Sequence, residues 1–410
     1  MLLINMLKSI LDFVFGDGLH VLLGGGLRQA LALVSAFTIT WLSIPSIVKL
    51  AAEKKLFDEP GHRKSHTHAT PTLGGISIFA GLTISVLIFG RIPAFPQLQY
   101  VFAGLLVIFF IGLKDDIMGI SPWKKLYGQV LAAFILIILG QIRITSLQGL
   151  FGINGLDAMG SMFISFFVII VIVNAINLID GIDGLASGLA IVAFGTFGIW
   201  FYYMGASEYS VVAAAVVGSL ISFSYFNVFG TTKKIFMGDT GSLMLGFLLA
   251  AFVIRFNELN IDPNTSWHVT AAPVVSFGIL MIPLFDTARI FLLRVMRGGT
   301  PFKADRNHLH HLLLNLKLSH LNASLILITV NLLFILAVFK LQFLGMNWLL
   351  LIILLAGSLL SLGLHMLVSR RIRRHKDLYP PKQPYHIEKP ATPDAAPALS
   401  EKPITELKKV

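Results

Sequence analysis

Cysteine is absent from the 410 residues, which excludes disulfides, thiolate nucleophiles and any Cys-ligated zinc site. Charge is scarce as well: Asp, Glu, Lys and Arg make up 13% of the chain, about half the share of a soluble domain. No internal repeat of the kind that marks inverted-repeat transporters is visible. Residues 1–29 lack a cleavage pattern of small residues after their short apolar stretch and read as an uncleaved, interfacial lead-in. What the chain has in abundance is apolar sequence, 55% hydrophobic residues with a mean hydropathy of +0.79. That balance predicts an all-α polytopic integral membrane protein.

About eleven apolar segments are candidates to span the bilayer, near 30–50, 74–90, 99–113, 126–142, 160–177, 184–203, 210–229, 241–256, 271–294, 323–340 and 346–369. Most Lys and Arg fall in the loops after odd-numbered segments and in the tail, where RRIRRHK occupies 370–376. Because cytoplasmic loops retain positive charge, the N-terminus is expected outside and the C-terminus inside. The domain division is then a lead-in at 1–29, a transmembrane body at 30–369 and a basic cytoplasmic tail at 370–410, rich in Pro, Lys and Ala and expected to be disordered. The net charge of +11 follows from this bias and the tail, so nucleic-acid binding is not invoked.

Four polar clusters sit at the ends of apolar runs, and the predicted topology puts all of them on the cytoplasmic face. In GLKDDIMG (112–119), adjacent Asp115 and Asp116 can share a divalent cation, and Mg²⁺ prefers one or two carboxylates plus substrate phosphates over a complete protein cage. A solvated turn capped by acids is the competing reading, with Lys124 and Lys125 as ion-pair partners or phosphate contacts. In NAINLIDGIDGLASG (174–188), Asn177, Asp180 and Asp183 line one face if helical geometry runs through them, and Gly181 and Gly184 permit a break. An interhelical turn with Asp183 as cap competes with this lined pocket. FMGDTGS (236–242) puts Asp239 at a helix start, where backbone N–H groups attract phosphate. A cap by Asp239 or Thr240 is the alternative there, and Asn227, Lys233 and Lys234 upstream could be ordinary anchors.

DRNHLHH (305–311) gathers Asp305, Arg306, His308, His310 and His311 in a loop too long to be a mere connection. Arg suits bidentate phosphate recognition, and His can donate to phosphate or sugar oxygens. The histidines lack the i, i+4 spacing of a helical zinc pair. The first inside loop adds Arg63, Lys64, His66 and His68 ahead of Gly74 and Gly75, a second phosphate-friendly surface.

Taken in order, PGHRKSHTHATPTLGG (60–75), GLKDDIMG, KKLYGQ (124–129), NLIDGIDGLASG, FMGDTGS and PFKADRNHLHH (301–311) closely resemble the polyprenyl-phosphate N-acetylhexosamine-1-phosphate transferases of glycosyltransferase family 4. The histidine loop resembles the branch that primes envelope polysaccharides with N-acetylglucosamine 1-phosphate. The branch that makes the first peptidoglycan lipid intermediate carries three consecutive histidines followed by an acid, whereas here Leu309 interrupts the run and Leu312 follows it.

The resemblance implies attack of an undecaprenyl phosphate oxygen on the β-phosphorus of a UDP-N-acetylhexosamine, with UMP leaving, in the cytoplasmic membrane of a bacterium. It also implies Mg²⁺, or Mn²⁺, as cofactor, and leaves a homodimer open. By that resemblance Asp239 is the principal metal ligand with Asp116 near the metal, and Asp115 prepares the lipid phosphate. Asn177, Asp180 and Asp183 form the nucleotide-side wall, Phe236 stacks on uracil, and Lys125 and Asn227 meet the phosphates. Arg306, His308, His310 and His311 close over the diphosphate and sugar. The alternatives are the phospho-N-acetylmuramoyl-pentapeptide transferase reaction and, from another class, a cation-coupled secondary transporter, whose charges belong near the bilayer midplane on broken helices.

Overall fold

The computed structural model describes residues 26–54, 56–58, 70–91, 96–298 and 307–378. Helix α1 covers Leu27–Lys54, α2 Gly74–Phe89, α3 Gln97–Met118 and α4 Pro122–Phe134, the last prolonged by a π-helical turn at Ile135–Leu139. Then come α5 (Ala158–Ile179), α6 (Leu185–Tyr203), α7 (Ser207–Phe229) and α8 (Gly238–Leu259). Helices α9 (Ala272–Ile279), α10 (Met281–Met296), α11 (Leu309–Asn315), α12 (His320–Leu341) and α13 (Met346–Leu378) complete the set. Two short antiparallel ribbons interrupt the helices: β1 (Phe57–Asp58) with β2 (Thr70–Pro71), and β3 (Ser146–Leu150) with β4 (Ile153–Gly155).

Each expected apolar segment is therefore helical, and the protein is an α-helical polytopic membrane protein. The expected number of eleven spans is not reached on length and composition. Among the described residues eight helices are long and apolar enough to cross a membrane, or nine when α9 and α10 count as one bent span. The two remaining segments are α2, with 16 residues, and α3, whose last turns carry Lys114, Asp115 and Asp116. Helix α1 starts at Leu27, inside the expected lead-in, and α13 runs to Leu378, beyond the expected end at 369. By compactness the chain divides into Met1–Val368 and Ser369–Val410, and of the second unit the helical stretch 369–378 is described. Residues 1–25 of the lead-in and 379–410 of the tail lie outside the described residues, as do Arg63, Lys64, His66, Asp305 and Arg306.

Local chemistry sets the helix starts. Ser121 is extended and Pro122 takes the first position of α4, where its missing N–H costs nothing. Asp157 caps α5 by accepting from the Gly160 N–H at 3.1 Å, and Ser319 caps α12 by accepting from Asn322 N–H at 3.2 Å.

Helix α8 is the most buried of the candidate spans and packs on α3, α5, α2 and α6. Its N-terminal turn lies hard against α3: a Cβ at Gly112 would stand 2.5 Å from the Thr240 Cα. A side chain there would separate the backbones, so glycine sets how closely the two helices approach.

Helices α9 and α10 meet at 86° around Leu280. Pro283 has no N–H to offer the carbonyl four residues back, so the ladder opens there. Asn331 of α12, 1% exposed, takes up both released groups, donating to Ile279 O at 3.0 Å and accepting from Ile282 N–H at 3.1 Å. Irregular backbone at such depth persists only when protein groups satisfy it in this way.

Candidate functional site

The acids of α3 have separate tasks. Asp116 turns to the start of α8 and accepts from Asp239 N–H at 2.7 Å, Thr240 N–H at 2.9 Å and the Thr240 hydroxyl at 2.5 Å. It is thus the cap of α8, supplied from another helix, and a favourable charge at the positive end of the helix dipole. Neither Asp239 nor Thr240 performs the capping role open to them in the sequence. Gly238 makes this junction possible: its φ is +72°, and a Cβ there would lie 2.0 Å from Thr72 O and 2.5 Å from Asp116 Oδ2. The neighbouring strand-like stretch is pinned by Gly74 N–H and Gly75 N–H to Phe236 O and Met237 O, both at 2.9 Å.

Asp115 turns the other way. Its carboxylate accepts from Ile120 N–H at 2.7 Å and pairs with Lys125 Nζ at 2.5 Å, and the same ammonium reaches Asp239 Oδ2 at 2.7 Å. The Asp115 and Asp239 carboxyl groups lie against one another. Asn177 donates to Asp239 Oδ1 and also to Ser242 Oγ at 2.8 Å. Lys125 thus bridges Asp115 and Asp239, while the Asp116 oxygens are engaged by the first turn of α8, its backbone N–H groups and the Thr240 hydroxyl. Two carboxylates already held around a positive charge are the donor set a divalent ion sharing phosphates would use. Among the described residues no group of three or more His, Asp or Glu is placed to hold a metal ion by itself.

The NLIDGIDG segment does not continue as one helical face. Helix α5 ends at Ile179, Asp180 is its C-cap, and Gly184 at φ +77° starts α6. The three polar residues therefore diverge. Asn177 holds Asp239, and Asp183 pairs with Lys234 Nζ at 2.7 Å and His320 Nδ1 at 3.2 Å. Burial works to raise the Asp183 pKa, but the hydrogen bonds from His320 and Lys234 outweigh it and hold the carboxyl below the usual range. Asp180 has no hydrogen-bonded partner among the described residues. Burial, with the Asp239, Asp116 and Asp183 charges adding to it, pushes its carboxyl up to about 7. An acid left so unsupported is disposed to accept a cation or a donor from a ligand.

Asn227 joins two loops of the site. It is 5% exposed and clamps two loops, accepting from Gly184 N–H at 2.7 Å and donating to Ile235 O at 3.0 Å. Through these two backbone contacts it positions the Asp183 and Phe236 loops. Phe236 is half-buried, with Lys234 Nζ 5.8 Å from its ring centroid.

The histidines lie at and within α11. His308 Nδ1 is 2.9 Å from Asp286 Oδ2, which fixes the proton on Nδ1. The Asp286 carboxylate also accepts from Leu309 N–H at 3.2 Å and from Arg289 at 2.8 Å, and Arg289 donates again to Asn307 O. Asp286 is 1% exposed. Its importance was readable in the sequence as an acid within an apolar run with Arg at i+3, a pattern expensive enough in a membrane to imply a role. His310 stacks on His308 at 5.6 Å and meets His311 in a tilted contact at 4.3 Å. Its Nε2 would lie 2.5 Å from a Cβ at Gly181, so the Asp180 loop and α11 touch. Burial and then His311 push the His310 pKa down to about 3, so its ring is neutral.

Acids, a lysine and imidazoles thus converge where several membrane helices end, the arrangement of a polytopic protein that handles an anionic ligand at a membrane face. Comparison with known proteins gives the lineage. The profile of glycosyl transferase family 4 matches residues 98–257. An undecaprenyl-phosphate alpha-N-acetylglucosaminyl 1-phosphate transferase from Haemophilus influenzae is 33% identical over 305 residues, covering 73% of this chain and 83% of the relative. Proteins of the same name from Yersinia pestis (32% over 270 residues, 65% of this chain and 71% of the relative) and Escherichia coli K12 (29% over 285 residues, 69% and 75%) are also similar. The chain belongs to glycosyl transferase family 4.

Proposed function

We propose that the protein transfers N-acetylglucosamine 1-phosphate from UDP-N-acetylglucosamine to undecaprenyl phosphate, releasing UMP and initiating an envelope polysaccharide. The names of its relatives support this reading, and the observation that carries it is Lys125 held between Asp115 and Asp239 with uncommitted Asp180 nearby. A lipid phosphate oxygen forms a bond to the β-phosphorus as the bond from that phosphorus to the bridging oxygen breaks, and UMP carries the oxygen away. One anhydride replaces another, so the chain's work is to bring two anions together and offset their repulsion. Lys125 meets the phosphates, Asn177 orients Asp239, and Asp115 faces the acceptor. The neutral ring of His310 and His308 with its fixed proton lie toward the sugar diphosphate.

Mg²⁺, or Mn²⁺, suits the paired Asp115 and Asp239 carboxylates, with phosphates and water as remaining ligands; when bound it would neutralise charge on the transferring phosphoryl group. Purified membranes offered a panel of radiolabelled UDP-sugars should label undecaprenyl phosphate from UDP-N-acetylglucosamine. Labelling from the muramoyl-pentapeptide nucleotide instead would overturn the reading.

The same reading places the protein in a bacterial cytoplasmic membrane with its site on the cytoplasmic side, supported by the distribution of basic residues. A reporter fused after Arg374 should be cytoplasmic and one inserted at Asn264 external. A periplasmic signal from the Arg374 fusion would reverse the orientation.

A further inference from the structure

His320 belongs to none of the polar clusters visible in the sequence. It is the first residue of α12, directly after the Ser319 cap, and its Nδ1 lies 3.2 Å from Asp183 Oδ2. Lys234 Nζ reaches the same oxygen at 2.7 Å. The Asp183 side chain keeps 14% of its surface exposed, and Oδ1, which accepts no hydrogen bond among the described residues, is the oxygen left for a ligand. A carboxylate with one oxygen held twice and the other open is fixed in orientation without being used up.

Backbone and side chain of the Asp183 loop are held by different groups. Ser324, four residues along α12, donates its hydroxyl to Asp183 O at 2.8 Å, and Asn227 accepts from Gly184 N–H at 2.7 Å. The path of the loop is thus set by these contacts, whereas His320 acts on the carboxylate itself. Lys234 extends the arrangement, its ammonium standing 5.8 Å from the Phe236 ring centroid, so one cation links Asp183 to the ring expected to stack on the base. His310 of α11 meets the same loop at Gly181. Residues 310 and 320, on successive helices, therefore both bear on residues 181–183.

We propose that His320 is a positioning residue for the nucleotide donor: with Lys234 it fixes Asp183 Oδ2, so that Oδ1 is presented to the nucleoside. The assignment rests on the transfer reaction proposed above, in which this loop lies on the nucleotide side. An ionised carboxylate only accepts hydrogen bonds and repels phosphate oxygens. Its ligand is then an N–H or hydroxyl of the nucleoside half that UDP-sugar and UMP share, apart from the diphosphate and the lipid.

The test uses the full-length protein in nanodiscs. His320→Ala should raise both the KM for UDP-N-acetylglucosamine and the UMP inhibition constant about tenfold, as for a lost hydrogen bond to a charged group, while kcat and the KM for undecaprenyl phosphate stay near their wild-type values. His320→Asn keeps an N–H close to the place of Nδ1 and should recover most of the loss. His320→Gln carries its N–H to the place of Nε2 and should not. Ser324→Ala removes the tie from α12 to the Asp183 backbone, where Asn227 still holds the loop, and should leave the donor KM near its wild-type value. Calorimetric titration with UMP should show the same loss of affinity in His320→Ala without any need for turnover. If the alanine variant does not fold, the contrast between His320→Asn and His320→Gln carries the decision. Unchanged donor KM in His320→Ala, an equal rise in Ser324→Ala, an equal rise in acceptor KM, or rescue by Gln as complete as by Asn would each overturn the positioning role. A wild type that binds UMP but transfers no sugar would refute the reaction, and UMP titration of the His320 variants would still decide the role of His320.

Discussion

Replacement of Asp239 by Asn should abolish transfer almost completely, lowering kcat about 100-fold or more, the scale for removing one preorganised electrostatic group. The change is nearly isosteric, and Asp116 reaches the α8 terminus through the backbone N–H groups of residues 239 and 240 and the Thr240 hydroxyl, none of which is lost. The helix should therefore keep its position and the protein its membrane insertion. What disappears is the charge that holds Lys125 at 2.7 Å opposite Asp115. Excess EDTA should silence the wild type, and Mg²⁺ should restore it. Full turnover in EDTA, or an active Asp239→Asn enzyme, would remove the metal from the proposal. Asp116→Asn should behave differently: an amide N–H facing the backbone donors of α8 would repel them, so thermal stability should fall along with activity.

The second large effect is expected at Asp286, a residue that touches no proposed substrate. Asp286→Asn leaves Arg289 and His308 without their shared carboxylate in a buried setting, where breaking an ion pair costs about 3–5 kcal/mol. It also releases the His308 proton to either ring nitrogen. We expect kcat to drop about 10- to 100-fold, the range seen when the group behind a functional histidine is removed, with a larger change in dependence on UDP-sugar than on lipid acceptor. Melting of the purified variant, followed alongside, separates the two consequences. Wild-type kinetics with reduced stability would make Asp286 purely an anchor of α10 and α11.

The elements differ in how far they could be read in advance. Hydropathy located the long apolar helices, because in a bilayer the backbone must satisfy itself within each run, but it showed neither the short α11 within the histidine loop nor the break between α9 and α10. The four polar clusters were legible for the same reason, since acids are retained beside such runs only at a cost. The family resemblance could be read from the order of those motifs. The sequence by itself thus determined that this is a helical membrane protein with an acid, lysine and histidine centre, and which segments contribute to it.

Tertiary structure decided which group meets which. Asp115 and Asp116 are adjacent and chemically alike, yet one faces Lys125 and the other caps α8, because successive residues of a helix point about 100° apart and α8 packs on one side only. Nothing in the spacing of Asn227 showed that it clamps two loops, since only the fold brings Gly184 and Ile235 within reach of its amide. The break after Ile179 separates Asn177, Asp180 and Asp183, which a continuous helix would have aligned. Asp286 gains its purpose from His308, 22 residues further along the chain. Spacing along a chain specifies local geometry, but a side chain's partner depends on how distant helices dock, and here glycine contacts such as Gly112 against Thr240 set that docking.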